Sequence, residues 1–331
     1  MKKLIALVLS LALCLGMMSF AAAEEAPLSV AICVAETFGD MGFYDSANEG
    51  LSLLEEKYGV EGHRIECNSD ASMYSVALIQ AAEQCDIVAA VGWQFWDGLC
   101  EIVPELPETK FISIDNALDG VGDNLLSIIY ADNEGSFLAG YVAMKMAANG
   151  VVGVVAAEDS ETINNFVVGY AQGALYANPE GKVLDAVYTN GDYDSPDLGK
   201  EAADSLYGKG ADVVFAVAGK TGLGVFSAAE EQGKYAVGVD GDQKPLSPET
   251  IICSMVKNVG QSIYTTVATY LEDGTFEGGT IWEADLSTGI LGLAYGDESY
   301  TQQVPDELKQ EVEALAAAIM NGEIVVDSTR K

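Results

Sequence analysis

From Leu28 to Val239 short runs rich in β-branched residues alternate with longer amphipathic runs, and nothing else in the chain restricts its fold so strongly. The apolar runs predict strands at Leu28–Ala35, Arg64–Cys67, Ile87–Gly92, Lys110–Asp115 and Leu125–Tyr130. Helices are expected between them near Phe43–Lys57, Met73–Gln84 and Phe95–Val103. The alternation resumes with strands at Val151–Ala156, Lys182–Val187, Asp212–Val217 and Tyr235–Val239, and helices at Asn164–Tyr176, Leu198–Gly208 and Gly222–Gln232. A run as apolar as "DVVFAV" belongs to a parallel strand covered on both faces. Two such series imply two doubly wound α/β domains.

Between the series, "ADNEGSFLAGYVAMKMAANG" reads as a helix opened by Asn133, with Glu134 in its first turn, and closed by Gly150. It would carry the chain from one domain to the other. A further strand, Thr250–Val256, and helix, Val259–Leu271, have no evident place in a completed second sheet, so a return to the first domain is expected. The lobes would then comprise residues 27–132 with 254–285, and 133–253 with 286–331. The tail "PDELKQEVEALAAAIMNGEIVV" predicts a Pro-initiated helix and a short last strand.

The first residues are "MKKLIALVLSLALCLGMMSFAAAEEAP": two lysines, an apolar run, and three alanines before Glu24. That is the pattern of a secretory signal over residues 1–23, with cleavage after Ala23. Cys14 lies inside the run, as the lipidated cysteine of bacterial lipoproteins does, but Leu13 precedes it where a small residue is wanted. An exported chain is expected, in the periplasm or at the outer face of the cell membrane, and no later stretch is apolar for the roughly 20 residues of a membrane span. What remains is long enough for two domains of about 150 residues.

Charge then excludes a class of partner. With 16 Lys and Arg against 51 Asp and Glu the net charge is −35, which repels phosphate backbones and anionic lipid. Nucleic-acid binding is not expected. Of the cysteines beyond Cys14, Cys33, Cys67 and Cys253 sit in strand-like runs, and none forms a C-x-x-C pair, so they read as small buried hydrophobes. His63 is the one histidine, and nothing near it supports a triad or a metal site. No cofactor is implied.

The stretch "FAVAGKTGLGVF" resembles a phosphate cradle, but a P-loop needs a glycine separated by four residues from the Gly-Lys pair, and that position is Val214. A strand, a turn and a helix start remain, aiming free N–H groups beyond the sheet edge. Open α/β sheets bind ligands at the carboxyl ends of their strands. Other strand ends carry Asp40, Phe43 and Tyr44, then Trp93, Phe95 and Trp96, then Asp115, then Asp240 and Asp242, and Lys257. Their shared location makes them candidates.

The segments "GDMGFYDSANEG", "FISID", "NNFVVGYAQGALYANP", "GADVVFAVAGKTGLGVFSAA", "GVDGDQ" and "SMVKNVGQSIY" follow one another in an order and spacing that resemble the basic membrane protein family. These are substrate-binding components of ABC importers, the purine nucleoside receptors among them. The resemblance implies a type I periplasmic-binding-protein fold, two α/β lobes joined by a three-crossing hinge. It further implies a monomeric receptor that holds a nucleoside in the interlobe cleft and delivers it to an ABC permease, without catalysis. Asp40 and Phe43 would be first-lobe contacts, Asp240 would accept hydrogen bonds from ribose hydroxyls and Lys257 would donate to them. Trp93, Phe95, Asp115, Phe166 and Gly219 complete the expected ligand-binding set, with Gly222 beside Gly219 allowing close backbone approach. The chain departs from the family pattern at Gly39, where Asn or Asp is usual, at Tyr44, where Asn is common, and at Lys220, where a second glycine is usual. A related nucleoside or a ribose-like sugar fits the same pattern, as does a ligand-gated sensor. A secreted nucleoside hydrolase would need a water-activating carboxylate cluster, and no Asp-rich segment accompanies Asp240 and Asp242.

Overall fold

The structure is a computed structural model that describes residues 26–329, so the expected signal segment and Cys14 lie outside the described residues. In chain order the strands are β1 (Ser29–Val34), β2 (Glu61–Glu66), β3 (Ile87–Val91), β4 (Lys110–Ile114), β5 (Leu125–Tyr130), β6 (Val151–Ala156), β7 (Lys182–Val183), β8 (Val187–Tyr188), β9 (Val213–Val217), β10 (Tyr235–Asp240), β11 (Ile251–Lys257), β12 (Thr280–Ala284) and β13 (Leu291–Ala294). The α-helices are α1 (Phe43–Tyr58), α2 (Tyr74–Ala82), α3 (Trp96–Ile102), α4 (Asp132–Met146), α5 (Glu161–Ala177), α6 (Pro196–Gly208), α7 (Gly219–Gln232), α8 (Val259–Asp273) and α9 (Asp306–Met320).

One sheet runs β12-β5-β4-β3-β1-β2 and is parallel throughout. The other runs β13-β11-β10-β9-β6-β7, with β8 also on β6 and only β13 antiparallel. Strands β1, β3 and β9 are buried along almost their whole length, the condition that allows near-continuous apolar runs. This is the doubly wound two-lobed α/β architecture expected from the alternation, of the type I periplasmic-binding-protein kind.

The chain crosses between the lobes three times, at Ala131, Asn258 and Asp285. The crossings are tied to one another and to the sheets: Ala131 N–H donates to the Ala284 carbonyl at 2.9 Å and Asn258 N–H to the Ile290 carbonyl at 3.0 Å. Asn258 also caps α8, its Oδ1 accepting from the Gln261 N–H at 2.8 Å. A hinge residue is thereby fixed to the helix it starts.

Strand β11 corrects one expectation. It pairs with β10 and β13 inside the second sheet, so residues 254–257 belong to the second lobe and the return to the first begins with α8, which packs on α1. A sheet that looked complete at β10 still had an open edge. Residue 132 likewise opens α4, which packs on α5 in the second lobe. The expected strand at Lys182–Val187 is split into two short bridges, and no strand forms after α9 among the described residues.

Helices α4 and α5 touch backbone to backbone. A Cβ on Gly169 would lie 2.1 Å from the Asn133 carbonyl oxygen, and one on Gly173 1.9 Å from that of Phe137. Only glycine permits that approach, and it fixes α4 on the second lobe. Cys33, Cys67, Cys85 and Cys253 are buried free thiols and Cys100 is an exposed one. No helix among the described residues is long and apolar enough to cross a membrane.

Candidate functional site

The carboxyl ends of β1, β3 and β4 in one sheet face those of β9, β10 and β11 in the other across a cavity of about 680 Å³, its open mouth included. Its lining is drawn from both lobes, among them Phe43, Trp93 and Asp115 from the first and Phe166, Gly219, Asp240 and Lys257 from the second.

Lys257 organises the floor. It ends β11, is 1 % exposed, and crosses to the first lobe, where its Nζ lies 2.8 Å from each oxygen of Asp115. Asp132 Oδ1, at the start of α4, is 3.3 Å away. The ammonium also sits over three rings, 4.6 Å from the centroid of Tyr130, 5.2 Å from Phe43 and 5.3 Å from Phe166. Burial works to lower the pKa of this lysine, but Asp115, Asp132 and Asp240 together hold it above the ordinary value. The site therefore keeps a full positive charge in a desolvated place.

Asp115 and Asp240 end equivalent strands of the two sheets and both take left-handed backbone, φ 66° and φ 64°. Aspartate tolerates this conformation better than most residues. It turns the chain sharply off the strand, and both residues line the cavity. Burial raises the Asp240 carboxyl to about 8, against the opposing pull of Lys257 and with Asp40, Asp132 and Asp115 adding to the rise.

Asp40 lines the cavity, as expected of a first-lobe contact, and has a second part. Its Oδ1 accepts from the N–H groups of Gly42 and Asp45 at 3.1 Å, and its Oδ2 from that of Tyr44 at 2.9 Å. These are the first amides of α1, so Asp40 satisfies a helix terminus and presents Phe43 to the cleft. Burial raises its carboxyl to about 6, although the amides of Asp45 and Gly42 pull it down. Asp45 ties the same loop from outside, accepting from Gly39 and Met41.

Four aromatic expectations separate. Phe43 and Phe166 reach the cavity from opposite lobes, and Trp93 lines it while 41 % exposed at its outer edge. Phe95 does not line it: fully buried, it packs on Tyr74 with ring centroids 5.3 Å apart and belongs to the first-lobe core. A 3₁₀ turn over Trp93–Phe95 sends the two rings in different directions. Gly219 stands at the cavity wall with φ 54°, where an added Cβ would meet the Tyr193 carbonyl oxygen at 3.2 Å. Gly222 is turned the other way, toward Ala216 of β9, and serves helix packing.

Besides Lys220, singled out in the sequence as a departure from the family pattern, several groups in or beside the cavity carry no signal in the sequence motifs. Lys220 reaches across to donate to Thr37 Oγ1 and pairs with Asp194 Oδ1 at 3.4 Å. Gln243 Nε2 donates to the Met41 carbonyl at 3.2 Å, a further contact between lobes. Glu36 and Gln94 lie together in the first lobe, Gln94 Nε2 donating to Glu36 Oε1 at 3.1 Å. Tyr193 and Asp194 come from the loop after β8. The strand-end rule points to that loop, which follows the strand expected at Lys182–Val187, but no motif singles out these two residues in it.

This geometry is that of a solute cleft between two lobes, and comparison with known proteins agrees. The family of PnrA-like ABC transporter substrate-binding proteins matches residues 28–330. The chain belongs to this family. Its members are substrate-binding proteins and not enzymes. Among curated relatives, basic membrane protein D of Borreliella burgdorferi is 31 % identical over 306 residues, covering 90 % of this chain and 87 % of that one. Basic membrane protein A1 of Borrelia garinii subsp. bavariensis is 30 % identical over 301 residues, with the same coverages. A solved structure of ABC transporter system solute-binding proteins from Aeropyrum pernix K1 superposes with a TM-score of 0.81 at 27 % identity, covering 92 % of this chain and 94 % of that one. A small-molecule ligand and a transporter permease are the partners that this family membership implies.

Proposed function

We propose that the protein captures a nucleoside, in the first instance a purine nucleoside, in the interlobe cleft outside the cytoplasm and presents the closed form to its permease. The observation that carries this reading is the meeting of two rings from opposite lobes, Phe43 and Phe166, with a carboxylate, Asp240, and a fixed ammonium, Lys257, in one cavity. Flat heterocycles stack on aromatic faces, at about 1–3 kcal/mol per base in single-stranded nucleic-acid binders. A carboxylate accepts from two vicinal hydroxyls and an ammonium donates to them, and such charge-assisted bonds are strongest where water is excluded. Asp115 and Asp132 have the role of holding Lys257 in place. Ligand seated against both lobes would favour the closed arrangement, with the crossings at Ala131, Asn258 and Asp285 absorbing the rotation.

The mature chain is read as Glu24 onward, released by cleavage of the signal at residues 1–23, and as a monomer. The test is calorimetric titration of refolded, ligand-free protein with inosine, guanosine, adenosine, cytidine and ribose. Saturable one-to-one binding of a nucleoside supports the reading. Absence of heat with every nucleoside at high micromolar concentration, while ribose binds, would replace it with a sugar receptor.

A further inference from the structure

Beside the main cavity lies a second chamber that shares Glu36, Trp93, Gln94, Tyr193 and Asp194 with it. Its described lining contains five carboxylates, Glu36, Asp97, Glu158, Asp192 and Asp194, and no lysine, arginine or histidine. Acidic residues on an acidic protein mean little by themselves. Glu36 is different, because it is 8 % exposed and its Oε2 is buried without a hydrogen-bond partner. Gln94 Oε1 and Glu158 Oε1 are also buried acceptors without partners. Glu36 and Gln94 line both chambers, at the seam between them, and Glu158 lines the second.

Buried polar atoms are almost always paired, and a buried carboxylate without a cation is costly. Lys220 lines the main cavity, but its ammonium is held by Thr37 and Asp194. Lys257 is held by Asp115 and Asp132 at the opposite end of the cleft. A ligand group bringing N–H donors and a positive charge would give Glu36 the partner it lacks. Trp93 and Tyr193 flank the seam, and aromatic faces favour such a cation. Consistently, burial first, and then the charges of Asp40, Asp194 and Glu158, raise the Glu36 carboxyl to about 7, the behaviour of an acid that lacks its counter-ion.

We propose that the seam at Glu36 and Gln94 receives a protonated amine, so that the solute of this cleft is a nucleoside whose base carries an ammonium-bearing substituent. The inference rests on the nucleoside reading and names the kind of nucleoside. The sugar lies toward Lys257 and Asp240, and the substituted edge of the base points between Trp93 and Tyr193 into the acidic chamber.

The experiment compares three ligands by calorimetry on the refolded mature protein: adenosine, N6-(2-hydroxyethyl)adenosine and N6-(2-aminoethyl)adenosine. The last two have the same length and differ in charge. The aminoethyl compound is expected to bind at least about tenfold more tightly than the hydroxyethyl one, the order expected of a hydrogen bond to a charged group. In Glu36→Gln that ratio falls toward one. The ratio is measured within each protein, so a general loss of affinity in the variant does not affect it. Equal or weaker binding of the amine by the unaltered protein, with adenosine still bound, overturns the amine subsite and leaves the nucleoside reading standing. Binding of the amine alone supports the subsite and overturns the plain-nucleoside reading, and binding of none overturns both. A preference that Glu36→Gln leaves intact overturns the assignment to this carboxylate.

Discussion

Replacing Lys257 by methionine keeps most of the side-chain volume and removes the charge, and the structure lets the cost be worked out. The ammonium is bidentate to Asp115 at 2.8 Å, 3.3 Å from Asp132, and over the rings of Phe43, Tyr130 and Phe166. Its removal leaves two carboxylates facing each other in a desolvated floor. Breaking a buried pair from one side costs about 3–5 kcal/mol, far more than the pair contributes relative to apolar residues. At about 2–4 °C per kcal/mol for large domains, Lys257→Met should lower Tm by on the order of 10 °C. Adding Asp115→Asn removes one of the stranded charges, so the double variant should be more stable than the sum of the single losses predicts. Calorimetric melts of the four proteins complete the cycle. A Lys257→Met protein that melts within about 2 °C of the parent, or costs that simply add, would show that the ammonium does not hold the floor together.

Three carboxyls at the cleft have raised pKa values, Asp240 to about 8, Glu36 to about 7 and Asp40 to about 6. Each favours the protonated form in the folded state, so the folded chain binds more protons than the unfolded one between about pH 4 and 8, and the stability they contribute is lost as pH rises through 6 to 8. The ligand-free protein should therefore melt at a higher temperature at pH 5.5 than at pH 8.5, and a steady fall of Tm on acidification across that range contradicts the assignment. Nucleoside affinity should show the opposite trend, rising from pH 6 to 9, because the proposed acceptor of the sugar hydroxyls is ionised Asp240; a flat profile removes Asp240 from that role. Phe43→Ala should weaken nucleoside binding by about tenfold while changing Tm little, since the ring is only partly buried, and titration of the folded variant tests it. Gly169→Ala should lower Tm by several degrees, because its methyl would lie 2.1 Å from the Asn133 carbonyl oxygen, and an unchanged melt would mean that α4 and α5 can part without loss.

How much of this was legible in the sequence follows from what local pattern encodes. Runs such as "SVAICV" and "VVFAV" announce buried parallel strands because both faces are covered, and the loops at their carboxyl ends then mark the cleft. By that route Phe43, Asp115, Asp240 and Lys257 are identifiable as candidates, Phe166 follows only from the family resemblance, and the structure brings all five into one cavity. Local pattern does not encode which open sheet edge a strand joins, so "IICSMVK" was misplaced in the first lobe although β10 offered it an edge. Nor does it encode direction within a turn: Trp93 and Phe95 are two residues apart, yet one meets the cleft and the other the core.

The least legible feature is the one that most distinguishes this cleft. Glu36 follows a buried strand in the manner of any solvated loop acid, and Tyr193 and Asp194 lie in the loop after an edge strand with no motif to single them out. Only when two lobes are folded against each other do these residues face a common space, and only then does an acceptor without a partner become visible. The Lys257 end of the cavity carries its counter-charges within itself, with Asp115 and Asp132 against the ammonium, and so is complete before ligand arrives. The Glu36 end is not. A cleft with one charge-satisfied end and one acceptor-rich end binds its ligand in a single orientation, because reversing the ligand would set its cationic edge against Lys257 and leave Glu36 Oε2 buried and unpaired. Orientation, on this argument, is set by the difference between the two ends of the cavity more than by the aromatic rings between them, since those rings accept a flat heterocycle equally well in either sense.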